Sequence, residues 1–428
     1  MTRGAEPYRD ALGMDTVDLA RLQFALTAGA HFLFVALTLG LATLVAVIQT
    51  RATFSGEPVH LRMTRFWGQL YIINYAMGIV TGLVMEFQLG LSWSGLTEYA
   101  GNVFGSALAI ETLVAFFVES TFLGLWIFGW DKLNRWAHLA LIWVVTLTAY
   151  ASAFWIMVAN GFLQHPAGHV LDGGVLRLVD LGAMVGNPAA LLAFFHVMGG
   201  AMITGGFFMA GVSAYHLRKR TAEQDFFRKS LRIGIGVALP ALFFTVTFGG
   251  ISFQTLQPTK SAAWTGDMDR LAEAQAQMVA AHGPGDYLPP VGPVQAAGIT
   301  MMVLWLVMTV VAALSLVLML FRPVVRGFRL WHWLLTLMIP VPFVTVLSGW
   351  VFRELGRQPW AVFGLLRTAD AMSPVTAAQM RFSITAFAAV FAVLIAINYW
   401  LLARQARRGP GAESLGAPAT PAAPALSF

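Results

Sequence analysis

Long apolar runs constrain the fold of this chain more than any other feature. Runs of about 20 residues, the length needed to cross a hydrocarbon core of roughly 30 Å, recur nine times along its 428 residues. Because backbone polar groups in lipid must be hydrogen-bonded within their own segment, each run is predicted to be a helix. The sequence therefore predicts an all-α integral membrane protein, a bundle of about nine transmembrane helices. The approximate extents of these helices are 24–50, 67–90, 104–128, 137–160, 186–216, 232–254, 294–321, 330–352 and 382–403.

The composition excludes several classes of protein. Hydrophobic residues make up 57% of the chain and charged residues only 11%, against roughly a quarter charged in soluble domains. The absence of cysteine excludes disulfides and thiolate-bound metals. The basic residues in the loops account for the net charge of +6, so this charge does not indicate nucleic-acid binding. The apolar composition predicts that the chain lies in a lipid bilayer.

Basic residues predict the orientation. The 27 Lys and Arg residues lie outside the nine predicted runs except Arg232, which is the first residue of the sixth. Of these, 17 lie on the side that carries the C-terminus and 10 on the side that carries the N-terminus. The positive-inside rule then predicts an N-terminus outside and a cytoplasmic C-terminus.

The chain divides into five predicted segments. The connection before helix 7 is the longest, and a connection of that length is more often functional than idle. The Ala-, Pro- and Gly-rich tail is predicted to be disordered. The segments are an extramembrane N-terminal segment (1–20), helices 1–6 (21–254), the long connection on the outer face (255–293), helices 7–9 (294–404) and the cytoplasmic tail (405–428).

Ionisable residues inside the predicted helices are costly and are read by default as a site. Most of them lie at a similar depth, at about 1.5 Å per residue from the outer ends. Only Glu119 is deeper, and Met301 shares the common level. The sequence thus predicts a polar layer in the outer part of the membrane. Its ionisable residues are His31, Glu86, Glu111, Glu119 and His196.

Two histidines and a methionine at matching depth favour haem iron. Imidazole and thioether are its usual axial ligands, whereas zinc usually gathers three or four His, Cys or carboxylate ligands. Taken singly, His31 or His196 could instead form only a hydrogen bond between helices. Met301 could be packing, and the neighbouring Met302 is a rival ligand.

Glu111 and Glu119 are eight residues apart, which is about 80° around an α-helix, so both can face one side at two depths. Intramembrane carboxylates in series are typical of proton paths. The alternative is an acid that burial keeps neutral and that is hydrogen-bonded to Ser or Thr.

Three stretches resemble the first three helices of the cytochrome bd quinol oxidase subunit I family. They read RLQFALTAGAHFLFVALTLG (21–40), FWGQLYIINYAMGIVTGLVMEFQLG (66–90) and AIETLVAFFVESTFLGLWIFGWDKL (109–133). The resemblance continues through SAFWIMVANGFLQHP (152–166), the residues around His196, QPTKSAA (257–263) and GRQPW (356–360). It covers roughly residues 17 to 405 in order.

The resemblance implies a role for each polar residue. His196 and Met301 match the ligands of a low-spin haem b. His31 matches the histidine that serves the high-spin haem pair, haem b and/or haem d, where O2 is reduced. Glu111 and Glu119 match carboxylates beside that pair, the first near the iron and the second on the proton route.

The resemblance also implies a donor, a partner and a location. Lys260 lies in the family's quinol-binding loop, and Arg357, Gln358 and Trp360 belong to a signature between the last two helices. The implied protein is a multi-pass protein of the bacterial cytoplasmic (inner) membrane, which oxidises quinol and reduces O2 to water. A second membrane subunit resembling subunit II is its implied partner.

The sequence departs from the family pattern at three positions. Leu347 stands where a glutamate ligand of the high-spin haem b is expected, Thr265 where a glutamate should follow Lys260, and Tyr150 where many relatives carry asparagine. A second hypothesis is therefore a divergent membrane haem protein with an altered electron donor or an incomplete haem set, acting in electron transfer or assembly. A third, a transporter without a cofactor, predicts inverted repeats, and the sequence shows no clear repeat.

Overall fold

The computed structural model describes residues 15–411 and 415–416, apart from the side chains of residues 114–116 and 322. Within that part of the chain, nine helices are long and apolar enough to cross a bilayer. Their number confirms the predicted bundle. We number them spans 1 to 9: Thr16–Ser55, Pro58–Ser92, Ser94–Phe128, Arg135–Gln164, Leu181–Lys219, Gln224–Phe253, Val291–Leu318, Arg329–Leu355 and Ala377–Arg408.

Three spans are composite. Span 3 joins two α-helices, Ser94–Ile110 and Ser120–Phe128, through a π-helix at Glu111–Glu119. Span 5 consists of Leu181–Val185 and Pro188–Lys219. Span 8 consists of Arg329–Leu337 and Val341–Leu355.

Most spans extend beyond their predicted bounds, because polar turns continue the helices past their apolar cores. Span 1 begins at Thr16, so residues 16–20 belong to a helix and not to a separate N-terminal segment. Span 9 continues to Arg408, four residues into the predicted tail. The remainder of that tail lies outside the described residues, except 409–411 and 415–416.

The connections hold short elements that the sequence did not predict. Strands β1 (His169–Asp172) and β2 (Val175–Leu178) form an antiparallel hairpin, as do β3 (Trp360–Val362) and β4 (Leu366–Arg367). The long connection contains two helices, Pro258–Thr265 and Met268–His282. A further short helix, Arg322–Gly327, precedes span 8.

Spans 1 and 5 lie at the centre of the bundle and are the most buried of the nine. They approach backbone to backbone, since a Cβ built on Gly40 would lie only 2.9 Å from the backbone nitrogen of Gly205. Small residues permit this close approach. The resulting van der Waals contacts stabilise the helix pair, because the hydrophobic effect does not drive helices together within lipid. These two central helices carry His31 and His196.

Candidate functional site

His196 has one ring nitrogen with no hydrogen-bond partner among the described residues. Its Nδ1 lies 2.9 Å from the backbone oxygen of Thr245 in span 6. A carbonyl oxygen only accepts, so Nδ1 carries the hydrogen and the lone pair lies on Nε2. Gly249 lies beside the ring, where a Cβ would come within 2.8 Å of Cε1. This is the tautomer that metal-ligating histidines adopt.

Met301 and Met302 differ in their surroundings. The Met302 side chain is 49% exposed on the outside of the bundle. Met301 is half-buried, and its sulfur faces span 8, only 2.8 Å from the position a Cβ on Gly349 would take. Of the two, Met301 is therefore directed between helices.

His31 also has its Nδ1 occupied, by the hydroxyl of Thr81 in span 2 at 3.0 Å. Gly82 follows Thr81 in that helix, and a Cβ there would lie 3.1 Å from the imidazole Cε1. Span 2 thus holds the Nδ1 edge of the imidazole and leaves space beside its Nε2 edge.

The stretch 346–350 of span 8 contacts all three helices that carry the predicted iron ligands. Leu347 faces Gly29 of span 1, two residues before His31. Val346 faces Gly200 of span 5, one turn after His196, while Gly349 faces Met301 of span 7. Span 8 therefore joins the surroundings of His31, His196 and Met301.

Glu111 is hydrogen-bonded between spans 3 and 4. The Ser152 hydroxyl donates to its Oε1 at 2.6 Å. Thr112 lies within 3.4 Å of the other oxygen and 3.0 Å of Glu86, which is exposed on the surface of the bundle. The structure thus brings Glu111 and Glu86 together through one hydroxyl.

Glu119 is only 6% exposed and interacts electrostatically with Glu111. Its Oε1 has no hydrogen-bond partner among the described residues, and neither has the buried hydroxyl of Tyr71, with which it interacts electrostatically. The predicted angle of about 80° assumed an α-helix, whereas residues 111–119 form a π-helix with more residues per turn. Glu111 contacts span 4, whereas Glu119 interacts with span 2.

Lys260 lies in a buried polar cluster where spans 4 and 8 end. Its Nζ donates to the backbone oxygen of Arg353 at 3.2 Å and lies 4.8 Å from the centre of the Phe352 ring. Gly356 makes room for the lysine, since a Cβ there would lie 2.6 Å from its Cε. We call the group formed by Asn160, Lys260, Arg353, Glu354 and Arg357 the Lys260 cluster.

Glu354 is the single acid of this cluster. Arg357 donates to it at 2.7 Å and Asn160 at 2.9 Å, while Arg353 donates to Asn160 at 2.6 Å. Three cations therefore face one carboxylate. Two guanidinium nitrogens of Arg357, Nε and Nη1, are buried without a partner among the described residues.

Burial, reinforced by the nearby Arg353 cation, lowers the pKa of Lys260 to about 7. The lysine side chain is 3% exposed, and desolvation disfavours its charged form. Lys260 is therefore a group that can lose or gain a proton near neutral pH.

The signature segment, residues 356–360, packs against the long connection. The Trp360 ring stacks on Tyr287 at 5.6 Å and meets His282 at 4.9 Å. Gln358 accepts a hydrogen bond from Thr368 at 2.8 Å. The predicted quinol loop and the predicted signature are thus one continuous structure.

Asn160, Arg353 and Glu354 were not predicted to belong to a site. Span 8 was predicted to end at residue 352, so its last two charged residues were assigned to a loop. Two ionisable residues directly after an apolar run indicate a candidate site at the end of a helix when that helix is predicted to continue for one more turn.

Comparison with known proteins gives consistent matches. The family described as "Cytochrome bd terminal oxidase subunit I" matches residues 19–285 and 281–410. "Cytochrome bd ubiquinol oxidase subunit 1" of Bacillus subtilis (strain 168) is 36% identical over 92% of this chain and 94% of its own length. "Cytochrome bd-II ubiquinol oxidase subunit 1" of Escherichia coli (strain K12) is 31% identical over 93% of this chain and 98% of its own.

A solved structure is also similar. It is that of bd oxidase from Geobacillus thermodenitrificans, with a TM-score of 0.81 and 26% identity, covering 92% of this chain and 99% of that one. The nine apolar helices agree with a multi-pass membrane protein. The chain belongs to the cytochrome bd terminal oxidase subunit I family and is a haem-bearing subunit of a quinol oxidase that reduces O2.

Proposed function

We propose that His196 and Met301 are the axial ligands of a low-spin haem b and that His31 binds iron in the high-spin haem pair. One observation carries this proposal: both histidines have Nδ1 hydrogen-bonded, so that Nε2 is the free nitrogen in each. The residues fit such a group, because glycines lie beside both imidazoles and beside the Met301 sulfur. When bound, haem supplies the redox chemistry, and the chain supplies ligands, orientation and proton access.

Leu347 leaves span 8 without a carboxylate at the position of the expected haem ligand. Glu354 follows seven residues later, two turns along the same helix, and its side chain is only 13% exposed. Its oxygens are hydrogen-bonded to Arg357 at 2.7 Å and to Asn160 at 2.9 Å, so we assign it to the Lys260 cluster and not to the high-spin haem b. The proposed set is a low-spin haem b with a high-spin haem b and/or haem d where O2 is reduced.

Proton delivery is assigned to Glu111 and Glu119. Glu111 can exchange a proton through the hydroxyls of Ser152 and Thr112. Glu119 has an unpaired buried oxygen, which suits a group that waits for a proton or a water. Buried carboxylates within a membrane protein are the usual proton carriers.

Quinol oxidation is assigned to the region of Lys260. The buried amine can donate to a quinol oxygen when charged and accept a hydroxyl proton when neutral, and its pKa of about 7 permits both. Thr265 cannot take this role, since its hydroxyl is bonded to the backbone of its own helix. The unpaired nitrogens of Arg357 suit an anionic group, such as a haem carboxylate.

The orientation proposed is an N-terminus outside and a C-terminus in the cytoplasm of a bacterial inner membrane. It places the Lys260 cluster on the outer side. A second membrane subunit is the proposed partner. Spans 7 and 9 expose large apolar side chains that suit either lipid or that subunit, among them Val303, Leu306, Phe382, Val393 and Trp400.

The test is haem content in the purified complex with its partner. We expect His196→Ala and Met301→Ala to remove the low-spin haem signal and His31→Ala to remove high-spin signal, with quinol-dependent O2 uptake lost in each. Met302→Ala and His169→Ala are matched controls that should retain full haem. A full spectrum in His196→Ala would refute the assignment, while fewer than three haems in the wild-type protein would favour the divergent hypothesis.

A further inference from the structure

The Thr81 hydroxyl oxygen accepts the hydrogen bond that it shares with His31. A hydroxyl has one hydrogen, and that of Thr81 is within reach of two carbonyls of its own helix, Met77 at 2.9 Å and Gly78 at 3.0 Å. Such back-bonding is common for threonine inside helices. With its hydrogen given to the backbone, the Thr81 oxygen accepts from His31 Nδ1 at 3.0 Å.

We infer that Thr81 is a positioning residue that fixes the tautomer and the ring orientation of His31 for iron binding. The inference rests on the proposed ligand role of His31. The side chain of Thr81 is fully buried, so no water competes for the imidazole hydrogen. Partners of this type orient a ligating histidine and raise its basicity.

Gly82 completes the arrangement from the same helix. A Cβ at this position would lie 3.1 Å from His31 Cε1 and 3.7 Å from Nε2. Thr81 therefore holds the Nδ1 edge of the ring, and Gly82 keeps the space beside Nε2 clear. Two adjacent residues of span 2 set how His31 of span 1 presents its lone pair.

The two histidines differ in how they are held. His196 meets only a backbone carbonyl at Nδ1, whereas His31 meets a side-chain hydroxyl in addition to the backbone of Gly78. The high-spin site can therefore be altered at one atom without changing a ligand. A weaker hydrogen bond makes the imidazole less basic, which favours ferrous iron and raises the midpoint potential.

The experiment uses the complete complex in membranes and compares Thr81→Val with Thr81→Ser. Valine keeps the shape and removes the acceptor, so we expect high-spin haem affinity to fall by about 10- to 100-fold or its midpoint potential to rise. The low-spin haem should be unchanged, which also reports that the variant is folded. Thr81→Ser should restore the wild-type spectrum and potential, and Gly82→Ala should disturb the same haem by crowding.

Thr148→Val is the matched control, since that hydroxyl is bonded to the backbone of its own helix. His31→Ala separates the two levels of the argument. If His31→Ala keeps all high-spin signal, the ligand assignment itself is wrong. If His31→Ala loses that signal while Thr81→Val keeps wild-type occupancy and potential, the positioning role of Thr81 is overturned alone.

Discussion

Replacing Glu354 with glutamine removes the single negative charge from the Lys260 cluster. The amide has the same shape and keeps an oxygen for Asn160, which now donates at 2.9 Å. The Arg357 guanidinium, 2.7 Å from the carboxylate, loses its charged partner. The substitution therefore changes charge with little change in packing.

The expected cost follows from burial. Side-chain exposure is 9% for Arg357 and 13% for Glu354, so solvent screens the pair poorly. Removing one partner of a buried ion pair costs about 3–5 kcal/mol, because the other charge is left unpaired. The nearby Arg353 cation then repels Arg357 without compensation.

The assay is thermal and denaturant unfolding of the complex in lipid nanodiscs. Glu223→Gln is the control, since that acid pairs with Arg62 at the surface, where the side chains are 37% and 44% exposed. Such a pair contributes about 0–1 kcal/mol. Removing both charges, in Glu354→Gln with Arg357→Gln, should cost less than Glu354→Gln alone.

Equal stability of Glu354→Gln and Glu223→Gln would refute the reasoning, because it would mean that the cluster does not depend on its acid. The reasoning would also be refuted if the double variant were less stable than Glu354→Gln by the full cost of a second lost interaction.

Two further predictions use other residues. Folding lowers the pKa of Lys260 from 10.5 to about 7. Between these two pH values the unfolded chain binds one more proton than the folded chain, so the free energy of unfolding should rise with pH across that window. Lys260→Met should flatten this pH dependence in thermal unfolding, whereas Lys132→Met, at an exposed position, should not. Gly249→Ala should shift the low-spin haem spectrum, because the new Cβ would lie 2.8 Å from His196 Cε1, while Gly250→Ala, with nothing within 4 Å, should leave it unchanged; identical spectra for the two variants would contradict this.

The helices were predictable because lipid demands long apolar runs, and nine such runs stand out in the sequence. The helix ends were not predictable, because the polar residues there are buried by contacts with neighbouring helices. The apolar pattern of their own helix does not reveal those contacts. Arg353 and Glu354 show this most clearly. Their partners, Asn160 and Lys260, come from 194 and 93 residues away along the chain.

The candidate site was predictable in residue type but not in geometry. His31 and His196 stand out as imidazoles within apolar runs, yet nothing in the sequence reveals that Thr81 and the Thr245 carbonyl hold them. The π-helix at Glu111–Glu119 has no recognisable signal in the sequence. Hydrogen-bond partners on other helices depend on register between spans, which one sequence does not specify.

The backbone contact between Gly40 and Gly205 acts as a pivot for both histidines. Gly40 follows His31 by nine residues, and Gly205 follows His196 by nine. Spans 1 and 5 run in the same direction, so each imidazole stands about 14 Å from the pivot, at 1.5 Å per residue. The distance between the two proposed iron ligands therefore depends on the angle at which spans 1 and 5 cross at these glycines.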